Sequence, residues 1–178
     1  MIDFDAVEKE LCELPLYCYF FIKTDELEFS ERVRHICKTE CPMYGKTWAC
    51  PPGVGEVEAC RARCLEYEDA VMIATVTEVS DIANIDETLA TRGDHESITG
   101  EVAEIIKKQA ESVYVLSSEA CAICEKCAYP EGPCRHPEKM HPCIESHGII
   151  LTDLAEKYGV EFQYGGNIVT WFSLIFFK

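Results

Sequence analysis

Ile168-Val169-Thr170-Trp171-Phe172-Ser173-Leu174-Ile175-Phe176-Phe177 is the stretch from which the fold of this chain can be read. It is almost wholly apolar, rich in β-branched and aromatic side chains, and free of Gly and Pro. A segment apolar on both of its alternating faces suits a strand covered on both sides, so it predicts a central strand of a sheet. Ten residues are too few to cross a bilayer as a helix, which takes about 20. Working back toward the N-terminus, Thr152 can cap a helix through Tyr158 that Gly159 stops. Tyr114 to Ser117 is a short strand, and Asp86 to Val113 is mostly helix, with Val102, Ile105, Ile106, Ala110 and Val113 at helical spacing. Ala70 to Val76 is a buried strand, Glu56 to Tyr67 a helix, and the aromatic-rich Leu16 to Ile22 another strand. Phe4 to Leu14 is a helix with Asp3 or Asp5 as its cap and Pro15 as its stop. Alternating strands and helices predict an α/β or α+β sandwich: a mixed sheet with helices, forming one domain over residues 1–178. Two irregular segments rich in Pro, Gly and Cys lie outside the sheet. The first is Cys37 to Gly55; the second follows Ser117 and carries Pro130, Gly132, Pro133, Pro137 and Pro142.

Those two segments hold the chemistry. Twelve of the 178 residues are cysteine. The sharper set is Cys121-Ala122-Ile123-Cys124-Glu125-Lys126-Cys127, followed after six residues by Cys134. Three thiolates at two-residue gaps curl the chain around three corners of a cubane, and a later loop supplies the fourth, which is the pattern of a [4Fe-4S] site. The usual bacterial run has its fourth Cys after three residues, so a ferredoxin fold does not follow from this spacing. Zinc is the alternative: Cys121 and Cys124 would form one knuckle, and Cys134 with Cys143, His136 or His141 the other. A third Cys at the same gap is superfluous for zinc and needed for a cubane. The second set is Cys37-x3-Cys41-x8-Cys50-Pro51-Pro52-Gly53, with nine residues between Cys50 and Cys60. Cys64, one helical turn beyond Cys60, competes to be its fourth ligand. Arg32, Arg34, Lys38 and Lys46 gather around this set, either to offset thiolate charge or as a solvated face. Cys12 and Cys18 read as buried structural thiols.

The formal net charge is −16, from 32 acidic and 16 basic residues, which excludes nucleic acid and anionic membranes as expected partners. The acidic N-terminus has no apolar core of a signal peptide, so a cytoplasmic protein is expected. In a reducing compartment dense Cys signals metal binding or catalysis rather than disulfides.

The chain resembles the "predicted metal-binding protein" family, domain of unknown function 2284. The resemblance rests on Cys37, Cys41 and Tyr44-Gly45-Lys46-Thr47-Trp48-Ala49-Cys50-Pro51-Pro52. It continues through Cys121, Cys124, Cys127-Ala128-Tyr129-Pro130 and Gly132-Pro133-Cys134-Arg135, and closes with Tyr164 to Leu174. It implies metal binding in an intracellular protein of anaerobes, and a cysteine at the place of Cys60, which favours Cys60 over Cys64. It also implies that Cys143, where serine is usual, is not a required ligand. It carries no assigned reaction.

Three functions are open at this point. The first is an electron carrier or redox relay with two [4Fe-4S] clusters, on Cys121, Cys124, Cys127, Cys134 and on Cys37, Cys41, Cys50, Cys60. Its redox partner would be a protein with a basic contact surface. The second is a cluster-containing redox enzyme or its reducing subunit, with Tyr44, Lys46, Arg135 and the histidines as available groups. The third is a structural zinc module. No phosphate loop, nucleotide fingerprint or hydrolytic triad is present, so the reading leans away from an enzyme. A substrate-sized cavity touching a cysteine site favours the second over the first.

Overall fold

The computed structural model describes residues 2–162 and 164–178. Six α-helices and four strands follow the order α1 (Phe4–Leu11), β1 (Cys18–Lys23), α2 (Glu31–Glu40), α3 (Val57–Cys64), β2 (Asp69–Glu78), α4 (Ile85–Ala90), α5 (Arg92–Lys107), β3 (Val113–Leu116), α6 (Leu151–Lys157) and β4 (Ile168–Phe177). The sheet order is β1-β2-β4-β3. β4 is central, as its composition predicts. It pairs with β2 from Asp69↔Phe177 to Glu78↔Ile168, and on its other side with β3 from Val113↔Phe177 to Leu116↔Leu174.

The pleat of β4 explains why nearly all of it is apolar. Phe172, Leu174 and Phe176 join Ala70, Met72, Ala74 and Leu116 on one face, beneath Leu151, Leu154 and Ala155 of α6. Ile175 and Phe177 join Val71, Ile73 and Val115 on the other, against α1 and α5. Both faces are covered, so the sheet is the middle of three layers, and the α+β form of the expected sandwich holds. Fully burying each such side chain is worth about 1.5–3 kcal/mol. The expected mixed sheet is replaced by one in which every strand pairing is antiparallel. The helical connection from β2 through α4 and α5 does return a strand in the same direction. That strand, β3, lies one place away, and β4 fills the gap running opposite to both.

Local signals account for most boundaries. Asp3 caps α1, its carboxylate accepting from the Ala6 amide at 3.1 Å. Gly159, with φ of 69°, ends α6 in the left-handed region. Thr152 does not cap α6, because Ile150 takes the cap position and Thr152 lies in the first turn. The long helix expected over residues 86–113 breaks at Thr91 into α4 and α5. Cys37 to Gly55 is not wholly irregular, since α2 runs through Glu40, capped by Ser30.

The fold presents the two cysteine segments side by side. β3 runs into Ser117, whose amide donates to Pro142 O at 2.9 Å and whose carbonyl accepts from Ile144 at 2.9 Å. The second loop is thereby pinched closed at its base. No helix among the described residues is long and apolar enough to cross a membrane.

Candidate metal centre

Cys121, Cys124, Cys127 and Cys134 all line one small cavity of about 20 Å³, walled otherwise by apolar groups that include Trp48, Ala49, Ile123 and Met140, and by Arg135 and His136. That space holds roughly one water molecule. Arg135 donates to Lys126 O at 2.9 Å and Gly132 to Ala128 O at 2.9 Å, folding the arm that bears Cys134 back over the Cys121–Cys127 run. Burial pushes the Cys121 thiol up; the Ile123 amide and Arg92 oppose this, and the nearby Cys134 and Cys127 thiols add to it.

The N-terminal set is assembled from two helices and the turn between them. Cys37 is in the last turn of α2, Cys41 follows it, Cys50 is in the turn, and Cys60 is on α3. Burial, then the Cys41 thiol and Glu145, push Cys37 up to about 11; Arg34 opposes this and Cys50 adds to it. The Cys143 thiol lies against Cys50 and makes Cys50 the more acidic of the two. Thr47 Oγ1 also lies against Cys50 and is buried without a formed hydrogen bond among the described residues. The turn is tight: a Cβ on Gly53 would stand 2.8 Å from Thr47 O and 3.1 Å from Cys50 O. Cys60 is fully buried, and Arg34 Nη2 stands 3.7 Å from its Sγ. Burial pushes its thiol up, against Arg34 and Arg63. Cys64 packs instead into the apolar core beneath the sheet, where burial drives its thiol up to about 12.

The two sets adjoin. Trp48, two residues before Cys50, meets Tyr129, two residues after Cys127, edge to face at 4.8 Å, and its Nε1 donates to Gly132 O at 2.9 Å. Arg92 is near a thiol of each set: it adds to the lowering of Cys50, led by Cys143, and opposes the rise that burial imposes on Cys121. Its Nε donates to Ser118 O at 2.9 Å and its Nη2 pairs with Glu96 at 3.2 Å. A larger cavity, about 1360 Å³, borders the same ground and is lined by Trp48, Cys134, Arg63, Tyr114 and His141 among others. His141 Nδ1 is 3.3 Å from Glu96 Oε2.

Among the described residues no three His, Cys, Asp or Glu side chains converge closely enough to hold a single metal ion. The histidines weighed as zinc ligands separate. His136 borders the small cavity, while His141 is bound to Glu96. His147 is buried between Tyr114 Oη (2.7 Å) and Ser146 Oγ (3.0 Å). Residues the sequence alone did not single out are Arg92, Glu96 and the apposition of Cys143 to Cys50. Arg92 and Glu96 are one helical turn apart, but Ser117, Ser118 and His141, which tie them to the loop, lie 21 to 45 residues away, and Cys143 is farther still from Cys50, so no local spacing marks them.

The model of the family described as predicted metal-binding protein, domain of unknown function 2284, matches residues 20–177. The chain belongs to that family. No curated protein and no solved structure matches it. The donor chemistry suits the metal binding the family name carries, although in the described residues the thiols stand too far apart to close on a single ion, so the loops must tighten around any centre they hold. Eight cysteines stand in two adjoining stretches, with Arg34 at Cys60, Arg92 near Cys121 and Thr47 at Cys50 as cationic and hydroxyl donors.

Proposed function

We propose that this family member is an iron–sulfur redox protein holding two [4Fe-4S] clusters. One would sit on Cys121, Cys124, Cys127 and Cys134, the other on Cys37, Cys41, Cys50 and Cys60. The observation that carries the reading is the single cavity lined by all four C-terminal cysteines, three of them spaced by two residues. A four-cysteine zinc site could use the same thiols, but zinc sites pair their cysteines as separate two-residue-gap knuckles, whereas three thiols at successive two-residue gaps follow the cubane pattern. Clusters held this way exchange single electrons at potentials set by charge, hydrogen bonds and exposure. Trp48, Ala49 and Met140 wall one side of the C-terminal site, and the Trp48–Tyr129 contact joins the two loops, so that two centres would adjoin.

A solvent-open cavity of about 1360 Å³ borders Cys134, which leaves room for a substrate and supports the enzyme reading alongside the carrier. It exceeds the roughly 300–1,000 Å³ that serves most small ligands. Electrons arriving from a protein donor would pass to a small molecule held between Trp48, Tyr114 and His141. Strictly anaerobic protein should contain about eight iron and eight acid-labile sulfide per chain, four of each per cubane. Stoichiometric zinc without sulfide would overturn the reading, and about four iron would remove the N-terminal site from it.

A further inference from the structure

Arg34 lies one helical turn before Cys37 on α2, and its guanidinium is committed inward. Nη1 donates to Gly55 O at 2.7 Å; Nη2 donates to Ser146 O at 2.5 Å and faces Cys60 Sγ at 3.7 Å. Nε is buried and has no hydrogen-bond partner among the described residues. No carboxylate pairs with this guanidinium among the described residues either, whereas Arg92, near both sets, has Glu96. An arginine cannot shed its charge and carries only donors. A half-buried guanidinium without a carboxylate partner and with a buried, free Nε–H therefore calls for an anionic acceptor, and the thiols near it are those of Cys60 and Cys37. Arg32, two residues away, is exposed, as are Lys38 and Lys46.

Resting on the cluster reading above, we propose that Arg34 is the built-in counter-cation of the N-terminal centre. It is a positioning residue that ties Gly55, Ser146 and Cys60 around the centre and biases it toward its reduced state. Taking up one electron makes the centre one unit more negative. A fixed positive charge in a poorly solvated site stabilises that form more than the oxidised one, so removing the charge lowers the midpoint potential.

The test is an electron-paramagnetic-resonance redox titration, with dithionite as reductant, on anaerobically purified full-length protein. Wild type, Arg34→Gln, Arg34→Lys and Arg32→Gln are compared, each after iron and sulfide analysis. Arg34→Gln should move one of the two midpoint potentials to a more negative value and leave the other in place. Arg34→Lys, which keeps the charge and loses the Nε donor, should move the same potential by less, and Arg32→Gln should move neither. Both potentials unchanged in a fully loaded Arg34→Gln protein would overturn the inference. If Arg34→Gln loses its N-terminal cluster, Arg34→Lys decides. A cluster retained by lysine at a potential near that of wild type supports the proposal, because the charge is what the two side chains share. Loss of the cluster in this variant too reduces Arg34 to a backbone tether. Wild-type protein without iron and sulfide would refute the cluster reading itself, before any variant is compared.

Discussion

Cys60 and Cys64 stand one turn apart on α3, yet their surroundings differ in kind. Arg34 and Arg63 oppose the rise that burial imposes on Cys60, whereas Cys64 is enclosed by Leu116, Ile144 and other core side chains and is pushed to about 12. A thiolate is the metal ligand, so the arginine-flanked sulfur is the better candidate. Cys60→Ser should lose about half the iron, as one of two cubanes goes. Cys64→Ser should keep all of it and lose about 1–3 kcal/mol of stability, because an unpaired hydroxyl replaces a core sulfur. Full iron in Cys60→Ser would transfer the ligand role elsewhere. Cys134 and Cys143 make the parallel case in the second loop. Cys134 borders both cavities, and its change to Ser should also cost about half the iron. Cys143 lies against Cys50, but three other thiols and a fourth on α3 already serve that set, so Cys143→Ser should stay loaded. Iron lost from Cys143→Ser and kept in Cys134→Ser would invert the ligand assignment.

Between elements, α5 and the sheet share a buried polar line. His95 Nδ1 meets Thr75 Oγ1 at 2.8 Å and Nε2 meets Ser173 Oγ at 2.8 Å; Ser173 donates to Ser117, which donates to Glu96. Burial holds His95 down to about 4 and His147 down to about 3, so both are neutral in the fold. Unfolded imidazole takes a proton near 6.5, and the folded form resists until far lower pH. Stability should therefore fall as pH drops from about 6.5 toward about 4, by on the order of 2 kcal/mol per histidine at pH 5. Glu145, pushed up by burial, offsets part of this, since its folded form takes a proton early. The check is the urea midpoint at pH 7 and pH 5, with His95→Gln expected to show a smaller drop; a midpoint unchanged on acidification would contradict the assignment. This line also shows what was legible beforehand. β4 announced itself because both faces are buried, and its apolar residues had no other use. The polar line did not, because Ser173 and Thr75 look like ordinary strand interruptions until α5 sets His95 between them. α2 was missed for the opposite reason: none of its residues is buried, so Glu31 to Glu40 has no apolar stripe to read. The C-terminal cysteine run was legible because its four thiols are local. The N-terminal set was only partly so, since α2, the Pro51 turn and α3 must pack before its thiols approach.

For the molecule as a whole, charge governs how a partner would approach. The chain carries 32 acidic and 16 basic residues, and cluster binding through eight thiolates would add roughly −2 per centre. A partner presenting a basic surface should therefore meet it faster at low salt, because complementary charge acts mainly on encounter and is screened over roughly 10 Å at 0.1 M. Electron exchange with such a donor, followed by stopped flow at several ionic strengths, should slow as salt rises while the visible spectrum of the clusters stays constant. The exposed Arg32, Lys38 and Lys46 near the N-terminal set offer a competing local face for an acidic partner. Arg34, turned inward, does not belong to that face. Neutralising the three exposed residues together distinguishes the two modes. With a basic partner, their loss removes a local repulsion and leaves exchange at low salt equal or faster. Slower exchange at low salt would mean that the partner docks on this patch and is acidic there. A rate independent of salt in both proteins would place docking on apolar contacts, and the charge argument would fail.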